Sequence, residues 1–459
     1  MPENFKNYSK TTFLIGMGFF TMGLMDPIYD SYVPIFLGDY ISSKGLVGFI
    51  MTLDNIFALF LIPLVSALSD RTRTPLGRRM PWILATLPPA AVFFALIPFA
   101  GLRSLVLLVG TVFLLNIFKQ AARGPVVALM PDTIPEELRS EANGVINTMG
   151  GIAAIVGTIG LSKLMDVSVV LPLVGDTARK LPFMISGLLV ITAALLLFMF
   201  VKEKISAQGT SGEGRTAAQT DEAAPADGGQ TEKRPGIMAS LAQVFRSPRN
   251  AAGDGRGALF LLLALFFWFF GYQGILPFLT MYTRDILGVS EGTAGLSPGM
   301  FAAAYAIFAI PSGVLAHRIG RAKTIRAALC VMTLICVLLF LHEPITRLAG
   351  LSPIAALVSF WALLFCMGMF WVAVITNSFP MLWGMASYEN IGVYTGLYYT
   401  FSQAAAILSP PVTGLLIDTC GFPALYAFGA VCMLTAFVFM KKVKPDKGHR
   451  LAFLTVFSC

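Results

Sequence analysis

Charge is scarce in this chain. Of its 459 residues only 13% are Asp, Glu, Lys or Arg, while 56% belong to the hydrophobic set. A typical soluble domain has about 25% charged and about 45–50% apolar residues. With 33 basic and 25 acidic side chains, a soluble fold of this length could not cover its surface. Lipid is the expected solvent, and a mean hydropathy of +0.75 agrees. Histidine is nearly missing; three copies argue against a multi-histidine metal centre. The six cysteines, Cys330, Cys336, Cys366, Cys420, Cys432 and Cys459, form no CxxC pair and read as small apolar fillers. No GxxxxGK[ST] loop is present, which argues against direct ATP drive. No cofactor and no metal are expected. The net charge of +8 fits positive loops beside a membrane better than a nucleic-acid partner. Lys6 and Lys10 precede an apolar run as in a signal peptide, but Asp26 and Asp30 interrupt its end and no A-x-A-like site closes it. A retained first span is expected.

Long apolar runs are abundant. A membrane span needs about 20 mostly apolar residues. The runs fall at 11–37, 44–68, 82–100, 103–129, 141–165, 181–201, 258–282, 293–316, 324–341, 353–379, 391–417 and 423–440. These predict an all-α polytopic membrane protein with twelve helices in two six-helix halves, 1–201 and 258–441. Between them, 202–257 reads as a cytoplasmic linker, disordered over 205–234 and then an amphipathic helix through Ile237, Met238, Leu241, Val244 and Phe245. Residues 442–459 form a tail. Placing both termini in the cytoplasm puts 24 Lys/Arg inside and 7 outside. That asymmetry orients the chain in a cell membrane.

The halves repeat. Asn143-Gly-Val-Ile-Asn147 matches Thr395-Gly-Leu-Tyr-Tyr399 at an offset of 252, which Asp166 and Asp418 share. Tyr29-Asp30-xxx-Pro34 faces Tyr272-Gln273-xxx-Pro277, and the loop after span 2 is echoed by His317-Arg318-Ile-Gly320-Arg321 after span 8. Such parallel halves are the arrangement of major facilitator transporters. The first of these loops is the more specific. Ser69-Asp70-Arg71-Thr72-x4-Gly77-Arg78-Arg79-Met80-Pro81-Trp82 resembles the signature of the glycoside–pentoside–hexuronide:cation symporters, closest to their sucrose-transporter-like branch. The resemblance implies the major facilitator fold and cation-coupled uptake of a glycoside or small sugar through a central cavity. Members of the melibiose type hold sodium with paired acids on helix 2. Here those positions are Ala58 and Ile62, and helix 4 offers Lys119 and Arg123. Proton coupling is therefore expected rather than sodium coupling.

A charge at mid-bilayer costs at least about 2.5–3.5 kcal/mol. Five are kept, all in the first half: Asp26, Asp30, Asp54, Lys119 and Arg123. Asp26 and Asp30 share a helix face with Tyr29 nearby, and Asn116, Lys119, Gln120 and Arg123 form one stripe. Asp26 or Asp54 paired with Lys119 is the expected ion pair. Three acids against two bases leave one carboxylate over, the property a proton coupler requires. Asp26, then Asp54, is expected to carry the proton. Tyr29, Asn116, Gln120 and Asn147, with Tyr272, Gln273, Trp371, Asn377, Tyr398, Tyr399 and Gln403, are the candidate substrate groups, because sugar recognition combines apolar ring faces with placed hydrogen bonds. Asp70, Arg71, Gly77, Arg78, Arg79 and Asp132, with His317, Arg318 and Arg321, read as a cytoplasmic gate, in which the arginines pair with Asp132, Glu136 or Glu137. The expected function is secondary active transport by a monomer through alternating access, most simply proton–glycoside symport. The alternatives are an exporter or antiporter, an uncoupled facilitator, or a transporter-like sensor without flux. No enzymatic constellation is seen.

Overall fold

A computed structural model describes residues 3–135, 138–172, 175–201, 203, 255–386 and 391–443. Of the expected linker, 202 and 204–254 with the amphipathic helix lie outside these, as do the tail from 444, Glu136 and Glu137; Glu203 is described, and α7 already begins at Gly255, inside the expected linker. Among the described residues, twelve helical spans are long and apolar enough to cross a membrane, the fifth of them running through α5 to Asp166, which makes the protein an integral multi-pass membrane protein. They are α1 (Glu3–Gly38), α2 (Lys44–Arg71), α3 (Met80–Gly101), α4 (Leu105–Thr133), α5 (Arg139–Ile155), α6 (Leu181–Phe200), α7 (Gly255–Leu287), α8 (Ser297–Ile319), α9 (Arg321–Leu348), α10 (Pro353–Trp383), α11 (Ile391–Cys420) and α12 (Ala424–Lys441). Helix starts follow local chemistry. Ser43, Ser104 and Ser352 each accept the N–H three residues on, at the mouths of α2, α4 and α10. Gly288, Gly320 and Gly421 take positive φ where α7, α8 and α11 end. Several helices outrun their apolar segments, since an apolar run measures bilayer thickness and a helix continues until glycine or proline stops it.

The described chain forms two compact units. The first holds α1 to α6 with Leu279–Gly299; the second holds α7 up to Phe278 and the chain from Met300. In the first, α1 packs on α5 and α6, α3 on α4 and α6, and α2 on α4. In the second, α9 packs on α10 and α12, the pairings of α3 repeated six helices later. Phe183 gathers Tyr32, Phe36 and Phe94 into the first core, and Phe360 meets Tyr426 in the second. Large apolar side chains also point outward; Ile310 is 82% and Leu348 92% exposed. Such a surface requires lipid.

The fifth span departs from a uniform helix over 141–165. α5 gives way to a π-turn at Val156–Gly160 and a 3₁₀ turn at Ser162–Asp166. Close packing accounts for the break, because this stretch presses on α1: a Cβ at Gly157 would lie 3.2 Å from the Leu24 carbonyl oxygen. Two turns earlier on α5, the Gly150 backbone abuts Gly23 of α1. A small β-hairpin follows, pairing Val170 with Asp176 and Leu171 with Gly175. A single-turn helix, Glu291–Ala294, precedes α8. The hairpin falls between the fifth and sixth apolar runs and is too short to produce a period; the single-turn helix overlaps the start of the run at 293–316, where one continuous span was expected.

The α1–α5 contact should be intolerant of bulk. Gly23→Ile should lower stability by about 1–3 kcal/mol through overpacking. Gly144→Ala, where nothing lies within 4 Å, should leave it unchanged or raise it by about 0.5–1 kcal/mol. Unfolding midpoints in detergent measure both.

Candidate functional site: a charged cluster, an aromatic cluster and a loop network

Three helices of the first unit bring their charges together. Lys119 of α4 is 3% exposed. Its Nζ lies 2.8 Å from Asp26 of α1 and 3.0 Å from Asp54 of α2. The ammonium also stands 4.8 Å from the Tyr29 ring centroid. Asn116, one turn before Gln120, donates its amide to the Tyr29 hydroxyl at 3.0 Å. Gln120 donates to the same Asp54 carboxylate. One ammonium thus bridges two carboxylates, and the stripe on α4 supplies their remaining donors. This network pairs the lysine with two carboxylates inside the bundle.

Asp30 is different. It sits one turn beyond Asp26, within the field of Asp26, Lys119 and Asp54. Among the described residues it makes no hydrogen bond or ion pair. Arg123 has interactions of its own. Two acceptor oxygens, Asn116 Oδ1 and Gln120 Oε1, are buried without a hydrogen-bond partner. Asn147 lies apart on an exposed face of α5, bonded to Asn143 at 3.1 Å.

The second unit assembles rings instead. Tyr272 of α7 and Trp371 of α10 stack at 3.9 Å with planes 9° apart. Phe269 meets both Trp371 and Tyr398 edge-on. Phe379 packs on Tyr398 at 4.0 Å and on Tyr399 at 5.7 Å, and the Tyr398 hydroxyl meets Ser378 at 3.1 Å. The Asn377 amide donates to Ala373 O at 2.8 Å within its own helix. Gln273 and Gln403 are partly exposed.

The α2–α3 loop forms a third network. Arg78 Nε and Arg79 Nε both donate to Asp132 of α4 at 2.8 Å, and Arg79 also pairs with Asp70. The bond to Asp132 holds the Arg78 guanidinium above its ordinary pKa. Arg71 is exposed, without an ion pair among the described residues. Glu203 completes the network and was not anticipated. It accepts the backbone N–H groups of Arg78, Arg79 and Met80 at 2.6, 2.8 and 2.7 Å. The start of α3 has no side-chain cap of its own, so a distant carboxylate meets its dipole. Gly77 (φ +101°) lies against Glu203 and leaves no room for a side chain. An uncapped helix start was the available signal, but it does not say which acid answers it. In the second unit Arg321 donates to Pro380 O at 3.3 Å, while His317 and Arg318 are exposed.

The comparisons agree with this architecture. The chain matches the family model described as Major Facilitator Superfamily over residues 11–403 and 261–455. It is similar to the "Uncharacterized symporter sll1374" of Synechocystis, 34% identical over 90 residues, which is 19% of this chain and 16% of that protein. It is also similar to the "Inner membrane transport protein YajR" of Escherichia coli, 34% identical over 110 residues and 23% of each chain. The aligned part thus spans less than a quarter of these relatives. Among solved structures, a bacterial homologue of the iron transporter ferroportin in an inward-facing state superposes with a TM-score of 0.66 at 15% identity, covering 94% of this chain and 98% of that one. The nucleoside transporter NupG gives 0.63 at 12% identity, covering 94% and 100%. At these identities the likeness is one of fold.

Removing one partner from a buried ion network leaves the others uncompensated. Lys119→Met should therefore cost about 3–5 kcal/mol of stability. The triple change Asp26→Asn, Asp54→Asn, Lys119→Met should recover most of that loss. Equal destabilisation in both variants would show that Lys119 acts by its shape and not by its charge. Glu203→Gln should cost about 1–3 kcal/mol, since three helix amides lose a charged acceptor; thermal unfolding in detergent measures both effects.

Proposed function

We propose a specific task for a chain that belongs to the Major Facilitator Superfamily, and so is a transporter of a small solute and not an enzyme. It is a proton-coupled symporter of a glycoside or small sugar, working by alternating access in a cell membrane with both termini in the cytoplasm. The observation that carries the reading is Asp30, a carboxylate without a bonded partner among the described residues, beside a pair already bridged by Lys119. Protonating Asp26 or Asp54 would break an ion pair with Lys119. Protonating Asp30 breaks none, and this favours it over the other two as the proton carrier. The three-acid, two-base count supports coupling in general, and the geometry supports this acid in particular.

Three further observations support a sugar. Stacked rings at Tyr272 and Trp371, with Tyr398 and Tyr399 alongside, suit the apolar face of a pyranose. The unpartnered oxygens of Asn116 and Gln120 call for hydroxyl donors. The SDR-x5-GRR loop resembles that of glycoside:cation symporters, and one relative is named a symporter. The loop network of Asp70, Arg78, Arg79, Asp132 and Glu203 serves as the cytoplasmic gate.

Purified full-length protein in liposomes tests this with radiolabelled disaccharides and glucosides, pH and sodium gradients being imposed separately. Accumulation should follow an inward proton gradient and collapse with a protonophore. Asp30→Asn should abolish that accumulation, by tenfold or more, yet retain sugar exchange at equal concentrations. Uptake driven by sodium alone, or wild-type accumulation by Asp30→Asn, overturns the assignment.

A further inference from the structure

At one end of the second unit the internal repeat keeps its cations and loses its acids. In the first unit, Arg78 and Arg79 of the α2–α3 loop are served by three carboxylates, Asp70, Asp132 and Glu203. Each has a counterpart position in the second half. Asp70-Arg71 closes α2, and His317-Arg318 stands in the last turn of α8. Pro131-Asp132 in the last turn of α4 corresponds to Pro380-Met381 in the last turn of α10. Phe198-Met-Phe200-Val-Lys202-Glu203, running out of α6, corresponds to Phe437-Val-Phe439-Met-Lys441-Lys442, running out of α12. The turn between the helices fixes the frame: Gly77 at φ +101° precedes Arg78, and Gly320 at φ +96° precedes Arg321. Histidine, methionine and lysine thus stand where the first half has Asp, Asp and Glu.

Positive charge is left unbalanced there. α9 starts with Arg321 and Lys323, and α12 runs out through Lys441 and Lys442. These ends lie together, because Arg326 of α9 donates to Met440 O at 2.9 Å and also to Val443 O. Arg321 reaches a neutral acceptor, Pro380 O, where Arg78 reaches the Asp132 carboxylate. Arg318, Lys323, Lys441 and Lys442 are exposed. Among the described residues none of these six cations pairs with a carboxylate. The described acids of the second unit are Glu343 and Asp418. Glu343 lies about six turns along α9 from Arg321, or about 33 Å; Asp418 is in the last turn of α11, whose first turn follows the end of α10.

An apolar track leads to this charge. Ile310, Pro311, Val314, Leu315 and Arg318 line a shallow groove of about 400 Å³ on α8. Ile310, Val314 and Arg318 follow one another at i, i+4 and i+8 on a single face, so the apolar wall ends at a guanidinium. Ile310, Val314 and Leu315 are exposed and continue the lipid-facing surface. We propose that the α8–α9 turn binds an anionic phospholipid, its acyl chain along α8 and its phosphate among Arg318, Arg321 and Lys323. The membrane then supplies the negative charge that Asp70, Asp132 and Glu203 supply inside the first unit. A zwitterionic lipid carries its own ammonium and leaves the cations unbalanced. The proposal goes beyond transport itself and rests on neither the solute nor the coupling ion.

Native mass spectrometry of the full-length protein in detergent tests it, with phosphatidylglycerol and phosphatidylcholine titrated separately. Phosphatidylglycerol should be retained about tenfold more tightly or better. The double change Arg318→Gln, Lys323→Gln should remove most of that preference. Lys442→Glu, which returns the acid of the first half at an exposed position, should lower it as well, and it carries the test should the double change fail to fold. Arg347→Gln, at the opposite end of α9, should leave the preference unchanged. Inorganic phosphate should displace the lipid only at concentrations far above the lipid's own. Equal retention of the two lipids by the wild type overturns the proposal, and so does an undiminished preference in the folded variants. Displacement by inorganic phosphate at a concentration equal to that of the lipid assigns the cations to a free anion and overturns it too.

Discussion

The ammonium of Lys119 is the interaction on which the first unit depends. A lone lysine in a lipid-embedded helix would be expelled or neutralised. Two carboxylates from two other helices hold it, so α1, α2 and α4 are tied at one depth by charge as well as by packing. Because the bridge is electrostatic, it also sets what the remaining groups can do. Asn116 and Gln120 spend their amide donors on Tyr29 and Asp54. Their acceptor oxygens are left over, and so is Asp30. The unsatisfied groups follow from how the bridge is satisfied.

The two ends of this unit use the same device. At each, a carboxylate distant in sequence meets the exposed amides of a helix start: Glu203 on α3, and Asp166 on the turn at Glu291. At each, a glycine stands where a side chain would block the carboxylate, Gly77 in one case and Gly292 in the other. At each, two arginines share an acid, Asp132 for Arg78 and Arg79, and Glu291 for Arg179 and Arg284. Helix amides offer partial charge that falls off within a turn. Such contacts are therefore strong when seated and vanish over a small displacement. The coupling cluster lies between these ends, and exposure does not set it apart: the side chains of Asp26 and Asp54 are 32% and 19% exposed, against 13% for Asp132.

The second unit achieves cohesion differently. Some of its polar side chains bond within their own helices, as Asn377 does to Ala373 and Thr376 to Val372, and others join neighbouring helices, as Ser378 does with Tyr398 and Ser312 with Thr376. A run of ring contacts adds to these, from Phe301 through Tyr272, Trp371, Phe269 and Tyr398 to Phe379. The charged bridge of the first unit thus has a neutral, largely aromatic counterpart in the second.

Composition and period made the twelve spans legible, because lipid imposes one length and one polarity on every helix. The polar faces were legible for the same reason: the spacing of Asn116, Lys119, Gln120 and Arg123 is a property of one helix. Contacts between loops were not. Asp39, Asp166, Arg179, Glu203 and Glu291 are ordinary loop acids and bases, each with many possible partners, and only the fold selects among them. The π-turn of the fifth span was hidden too, because it arises from the fit against α1. Most instructive is the surplus carboxylate. Counting three acids against two bases shows that one must be left over, but not which. Asp26 and Asp30 share a face and differ by a single turn, about 6 Å along the axis. That distance decides whether a carboxylate can reach the ammonium, and the reach of Lys119 is set by how α4 lies against α1 and α2. The identity of the partnerless acid is therefore a tertiary fact, fixed by the spacing of three helices and invisible in any one of them.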